Sequence, residues 1–328
     1  MNYESPIQEL DSINGNRIFI KRDDLLPFAF GGNKVRIAQE FFADMELKNK
    51  NCMVGYGNAR SNLCRALSVM ARAKGYPCYI ISPNDDDGKR AETFNSRIVS
   101  MCGAVTVPCD KRHVSEAVTS VLDGCIQAGL NPYYIYGDPR GNGNEAVPVK
   151  AYIKTTKEII NQEQRLGIRF DRIYLASGTG MTQSGLIIGS QLFNRAWDIC
   201  GISVARPRER GTAVIQVYID KYYKETDLPR TVPNRPILFL DDYVLDGYGT
   251  YNDVISQTIY AAYQQFGIAF DPTYTGKAFW GMDNHLRQNN ISGKNVLFIH
   301  TGGTPLFFDF IASQRGSPLH TEPTCMHL

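Results

Sequence analysis

Short apolar runs bounded by turn formers take turns along this chain with stretches whose apolar positions recur at helical spacing. Arg17 to Arg22 reads as a strand after a short extended start, and from about Lys34 to Leu47 the apolar residues Val35, Ala38, Phe41 and Phe42 fall at helical spacing. Strands are then predicted at Cys52 to Tyr56, Pro77 to Ser82, Val105 to Pro108 and Tyr133 to Tyr136. Between them lie helices at Ser61 to Lys74, stopped by Gly75, at Arg90 to Cys102 and at Val114 to Ala128. The turn-rich run Gly137 to Asn144 is the best candidate for a crossing between domains. Beyond it the pattern predicts a helix from about Val149 to Gln164, a strand Arg172 to Ala176, a helix Thr182 to Arg195 and a strand Ile199 to Val204. A helix Tyr251 to Phe266 and a strand Lys294 to His300 come later. Strands alternating with helices predict a doubly wound α/β protein in two lobes, with parallel sheets covered by helices.

The length of 328 residues, 43% of them hydrophobic, supports one large or two modest domains. The net charge of +2 comes from basic residues spread along the chain, which gives no support to nucleic-acid binding. Eight cysteines (Cys52, Cys64, Cys78, Cys102, Cys109, Cys125, Cys200 and Cys325) include no CxxC pair, so free thiols in a reducing compartment are expected and no metal site. The opening Met-Asn-Tyr-Glu-Ser-Pro shows no secretory leader, and no apolar run approaches the roughly 20 residues that span a bilayer. A cytoplasmic protein with no membrane partner is the expectation.

Three loops follow strands and lead into helices, where ligands bind in open α/β sheets. Ser177-Gly-Thr-Gly-Met-Thr-Gln-Ser-Gly185 offers tight turns and exposed N–H groups suited to a phosphate, with Ser177, Thr179 and Thr182 adding hydroxyls. It lacks the Gly-Lys-Ser/Thr ending of a nucleotide-hydrolysing loop, and no acidic residue follows at the position that would hold a dinucleotide ribose. Gly31-Gly-Asn-Lys34 sets a lysine behind two glycines, where apolar walls beside a phosphate site would lower its pKa enough to form an imine. Taken alone, such a lysine is more often a solvated surface residue. His300-Thr-Gly-Gly303 ends a strand, with the Thr301 hydroxyl at the sheet edge.

In order and over essentially the whole length, seven segments resemble the family of D-cysteine desulfhydrase and 1-aminocyclopropane-1-carboxylate deaminase. They are Ile18-Phe-Ile-Lys-Arg-Asp-Asp24, Gly31-Gly-Asn-Lys-Val-Arg36, Arg60-Ser-Asn-Leu-Cys-Arg65, Ser177-Gly-Thr-Gly-Met-Thr-Gln183, Gly247-Tyr-Gly249, Asp271-Pro-Thr-Tyr-Thr-Gly-Lys277 and His300-Thr-Gly-Gly303. The resemblance implies a two-domain tryptophan synthase β-like fold, with residues 1–48 and 145–328 as a large cofactor-binding domain and 49–144 inserted as a small one. It implies pyridoxal 5'-phosphate held as an imine on Lys34, which also takes the α-proton. Asn62 would bond the cofactor's phenolic oxygen, Ser61 would lie near the substrate carboxylate, and Ser177, Gly178, Thr179, Gly180, Met181 and Thr182 would hold the phosphate. Tyr248 and Tyr274 would face a small amino-acid substrate, and a homodimer is expected.

Two positions bear on the reaction. Deaminases of this family have glutamate after the tyrosine of the Asp-Pro-Val-Tyr run and leucine after the last His, whereas desulfhydrases have threonine at both; here they are Thr275 and Thr301. Thr301 resembles the hydroxyl partner of the pyridine nitrogen, and a neutral partner leaves that nitrogen largely unprotonated. The weaker electron sink favours expelling a β-substituent, with D-cysteine to pyruvate, sulfide and ammonia as first candidate. Alternatives are β-replacement, deamination of the cyclopropane substrate, and a cofactor-binding protein without turnover. Departures from the family pattern are Arg60 for its usual glutamine, Ile37 for its usual lysine, and Leu26-Pro-Phe-Ala-Phe30 for a shorter polar approach.

Overall fold

The structure, a computed structural model, describes residues 3–84, 91–230 and 236–314; Arg90 and Cys325 therefore lie outside the described residues. In chain order the elements are β1 (Ile7–Ile13), β2 (Asn16–Arg22), α1 (Asn33–Leu47), β3 (Cys52–Tyr56), α2 (Asn62–Lys74), β4 (Cys78–Pro83) and α3 (Phe94–Met101). Next come β5 (Val105–Cys109), α4 (Val114–Gln127), β6 (Pro132–Tyr134), α5 (Ala146–Leu166), β7 (Arg172–Ser177), α6 (Met181–Leu192) and β8 (Asp198–Ser203). The remainder are α7 (Arg208–Thr226), β9 (Leu238–Leu240), α8 (Asp253–Phe266), α9 (Thr275–Gln288), β10 (Asn295–His300) and α10 (Thr304–Ser313). The chain forms two compact units, one of residues up to Asn33 and from Tyr152 onward, the other of Lys34–Ala151.

The outer unit holds a six-stranded sheet in the order β1-β2-β10-β7-β8-β9, antiparallel only between β1 and β2. Its central strands are apolar on both faces, as strands covered by helices on both sides must be. Ile173, Tyr174 and Leu175 on β7 and Val296 to Ile299 on β10 are all buried. Phe270, Phe279 and Phe298 pack ring on ring at centroid distances of 4.9–5.7 Å. Each buried ring of this kind is worth about 3–5 kcal/mol against truncation. Register places Arg22 beside His300 and Ser177 beside Ser203. The strand ends carrying Gly31–Asn33, Ser177–Gly180 and Thr301–Gly303 therefore open on the same edge of this sheet.

The inner unit holds a four-stranded, wholly parallel sheet in the order β5-β4-β3-β6. Helix ends here follow side-chain capping: Ser61 accepts from Cys64 N (3.2 Å) to start α2, and Gly75 ends it at φ +76°. Thr93 and Ser96 form a reciprocal box at α3, so that helix starts at Phe94. Phe41 and Phe42 of α1 pack on Tyr133 and Tyr76. Ile37, a departure from the family pattern, is fully buried on the same helix and fills core. All seven described cysteines are free thiols.

Candidate active site

In the outer unit, β7 runs into the loop Ser177–Gly180 and then α6. Ser177 is 2% exposed, and its Oγ is buried with no hydrogen-bond partner among the described residues. Gly180 is the N-cap of α6 at φ +84° and offers no side chain to the helix. The first-turn N–H groups therefore await an outside acceptor. Thr182 accepts from Asn33 Nδ2 (2.9 Å), which leaves its own hydroxyl proton to give. An orphaned hydroxyl and an uncapped helix start at a glycine turn together fit a phosphate group. A Cβ at Gly180 would approach Ile215 Cγ1 to 3.0 Å, in a backbone region L side chains rarely adopt. Gly180→Val is expected to weaken pyridoxal-phosphate affinity about tenfold or more by shifting this loop. Equilibrium titration of apoprotein checks this, and an unchanged affinity would place the phosphate elsewhere.

The second loop meets the third backbone to backbone. Gly32 N donates to Asp23 O (2.7 Å) and Asn33 N to Thr301 O (3.1 Å). A Cβ on Gly32 would lie 2.8 Å from Thr301 O, and one on Gly302 2.6 Å from Gly32 Cα. Glycine is thus required at both positions by close approach. Thr301 is buried, and its hydroxyl has no hydrogen-bond partner among the described residues. Beside it, Gly302 N donates to His300 Nδ1 (3.2 Å), and burial lowers the His300 pKa, so the imidazole is neutral.

Lys34 follows Asn33 directly in the chain. Although the residue retains some surface, its amine is enclosed and has neither a hydrogen-bond nor an ion-pair partner among the described residues. Burial lowers its pKa from 10.5 to about 8. That makes an amine competent as a nucleophile near neutrality.

The turn Asp271–Thr275 is built around a buried carboxylate. Asp271 Oδ1 accepts from Thr273 N (2.9 Å) and Tyr274 N (2.8 Å), and Oδ2 from Thr275 N (3.1 Å) and Thr275 Oγ1 (2.8 Å). Thr275 Oγ1 in turn accepts from Asp271 N (2.8 Å), so both roles of this hydroxyl are taken. Burial pushes Asp271 up to about 6, while these donors pull it down. The turn presents Tyr274, whose hydroxyl hydrogen-bonds that of Tyr248, the rings meeting edge to face at 5.8 Å. Tyr248 lies between Gly247 (φ +124°) and Gly249 (φ +82°).

In the inner unit Ser61 and Asn62 start α2. Asn62 is buried, and its Oδ1 accepts from Asn95 Nδ2 (3.0 Å), which also donates to Arg60 O (3.1 Å). This turns the Asn62 amide so that its N–H groups remain to donate. A cleft of about 270 Å³ beside it is lined in part by Gly57, Ser61, Cys64, Ser82 and Ser96. Sequence reasoning missed Asn95, Asn33 and Asp271. Asn33 and Asp271 stood inside motifs already singled out, whereas nothing in the sequence marks Asn95.

The family model of pyridoxal-phosphate-dependent enzymes matches residues 2–302. The chain belongs to this family. Pyridoxal phosphate is thus its cofactor, and Ser177 and the α6 start are features that suit it. A D-cysteine desulfhydrase of Serratia proteamaculans (strain 568) is 29% identical over 321 residues, covering 93% of each chain. A Pyrococcus abyssi (strain GE5 / Orsay) protein named provisionally as a 1-aminocyclopropane-1-carboxylate deaminase is 29% identical over 317 residues, covering 94% of this chain and 92% of that one. Among solved structures, an ACC deaminase homologue matches with a TM-score of 0.81 at 27% identity, covering 95% of this chain and 94% of that one. An O-ureido-L-serine synthase matches with a TM-score of 0.64 at 16% identity over 97% and 94% of the chains and shares the fold. The architecture is that of fold type II pyridoxal-phosphate enzymes, and within that family the chain is similar to a desulfhydrase and to proteins named as deaminases. Among the described residues no helix is long and apolar enough to cross a membrane, and no cluster could hold a metal ion.

Proposed function

We propose that this enzyme eliminates the β-substituent of a small amino acid, with D-cysteine as first substrate, consuming water and releasing pyruvate, sulfide and ammonia. The observation that carries the reading is the uncommitted hydroxyl of Thr301, set beside a neutral imidazole. The nearby carboxylate, Asp271, is occupied by four donors of its own turn. A neutral hydroxyl is thus the group on offer to the ring nitrogen, which suits rapid loss of a leaving group over prolonged storage of a carbanion. Pyridoxal phosphate, when bound, supplies the electron sink for charge developing at Cα.

Lys34 Nζ holds the cofactor and moves the α-proton. The Ser177 and Thr182 hydroxyls and the α6 N–H groups bind the phosphate, with Gly178, Thr179, Gly180 and Met181 shaping the loop. The Asn62 amide donates to the phenolic oxygen, Ser61 orients the substrate carboxylate, and the Tyr248–Tyr274 pair orients the substrate's reacting end. Free thiols throughout the described chain support a cytoplasmic location; the homodimer belongs to the same reading and is checked by sedimentation.

Deamination of the cyclopropane amino acid is the second reading, favoured by the 27% identical solved homologue and the Pyrococcus relative. Purified holoenzyme should be given D- and L-cysteine, β-chloroalanine and 1-aminocyclopropane-1-carboxylate, with keto acid and amine products measured. Keto-acid release from D-cysteine well above that from the cyclopropane substrate is expected. Equal or greater release from the cyclopropane would replace elimination with deamination, and new amine products with an added nucleophile would indicate β-replacement.

A further inference from the structure

Two lysines of the outer unit are fully buried, and they are treated very differently. Lys21 is ion-paired with Glu158 (2.6 Å) and also bonded to Gln162 and Ser5, the ordinary way to keep an ammonium inside a protein. Lys277, in the first turn of α9, has no carboxylate partner among the described residues. Its Nζ donates to two backbone carbonyls, Val244 O (2.8 Å) and Gly247 O (3.1 Å). Burial lowers its pKa to about 8, with Asp271 and Asp246 supporting the charge from a distance. A methionine would fill this space without the cost of desolvating a cation, so core packing alone does not explain a lysine.

The two carbonyls belong to a segment without regular backbone hydrogen bonding of its own. Between β9 and α8 no helix or strand holds residues 241–252, and Leu245, Gly247 and Gly249 all have positive φ (58°, 124° and 82°). Its ties include Val244 N to Asp241 O (3.3 Å) and Thr250 Oγ1 to Gly247 O (2.8 Å), and Tyr243 at its start packs on Trp280 of α9 (5.5 Å). Tyr248 follows Gly247 immediately, and its hydroxyl meets that of Tyr274, three residues before Lys277 at the start of α9.

We propose that Lys277 is a positioning residue: its ammonium clamps the Val244 and Gly247 carbonyls to α9 and so holds the Tyr248 hydroxyl against Tyr274. The inference rests on the reading of these tyrosines as the groups that orient the substrate. A charge-assisted hydrogen bond suits this task because it is short and directional where the backbone has no ladder.

The test compares wild type, Lys277→Met, Tyr248→Phe and the double variant as holoenzymes, with Lys277→Gln as a second probe should the methionine variant fold poorly. Hydrogen exchange is read first. Amides of residues 245–250 should exchange about tenfold faster or more in either Lys277 variant, while those of β7 and β10 stay unchanged. In keto-acid assays Lys277→Met should lower kcat about tenfold with cofactor affinity unchanged, and the double variant should be no slower than Tyr248→Phe alone. Unchanged exchange at 245–250 would overturn the clamp, whatever the substrate proves to be. Multiplying effects in the double variant would overturn the route through Tyr248. Wild type that turns over no amino acid, with faster exchange in the Lys277 variants, would keep the clamp and reject the functional reading instead.

Discussion

Replacing Lys34 with alanine is expected to cut keto-acid release by about 10²–10⁴-fold, the range for loss of a positioned proton-transfer group, and to remove covalent attachment of the cofactor. The enclosed, unpaired amine is the reason: burial at this position serves no salt bridge and no packing that alanine would disturb through charge. Apoprotein of Lys34→Ala should still bind pyridoxal phosphate noncovalently through the α6 loop, and borohydride should fix none of it to the protein. A lysine adduct surviving in the variant would assign the role to another residue. The pH dependence of attachment follows from the same burial. Attack needs the neutral amine, and the Lys34 pKa is lowered to about 8, so the rate of covalent uptake by wild-type apoprotein should rise with pH, pass half its maximum near 8 and flatten above it. A rate still climbing towards the ordinary lysine value of 10.5 would show that the amine is solvated before the cofactor arrives.

Thr301→Val should lower kcat/KM for D-cysteine by about 5–150-fold, the cost of one buried hydrogen bond to a group left without its partner. The companion change, Thr275→Val, should behave differently. Its hydroxyl both donates to and accepts from Asp271, so the loss falls on the turn and appears as a lower Tm, with activity per folded molecule largely retained. The geometry also changes how the desulfhydrase and deaminase patterns should be exchanged. Thr275→Glu would press a second carboxylate against buried Asp271, so swapping both threonines at once confounds folding with chemistry. Thr301→Val that leaves kcat/KM unchanged would remove this hydroxyl from the site.

Much of the fold could be read before the structure because its signals are local. Cys52–Tyr56 is a compact apolar run between turns, and Ser61 and Gly75 bracket α2 as cap residues. The sequence pattern does not predict α7: Gly211, Ile215, Tyr218, Ile219 and Tyr222 recur at helical spacing, but tyrosines carry much of the stripe and read as mixed polarity. α9 starts inside the motif Asp271–Lys277, and its first buried residues, Thr275, Gly276 and Lys277, form no apolar stripe. β1 lacks alternation because its pairing shifts between Leu10 and Ile13. Among the proposed site residues, the glycines and Lys34 stand out in the sequence, since close approach leaves glycine no substitute. The roles of Asn95 and Lys277 depend on partners 33 and 30 residues away, a separation no periodicity encodes.

The strand order of the outer sheet also bears on how the chain is made. β10 is spelled by residues 295–300 yet lies between β2 and β7, so the sheet cannot close until almost the last described residue has left the ribosome. The segment Lys34–Ala151 carries every strand of its own sheet and can finish folding long before. During that interval β2 and β7 expose edges and the apolar side chains of Ile18, Ile20, Ile173 and Leu175, an opening for mispairing that ends only when β10 arrives. Translation speed and chaperone supply between the synthesis of β7 and that of β10 should therefore govern the yield of active enzyme more than any event while Lys34–Ala151 is made.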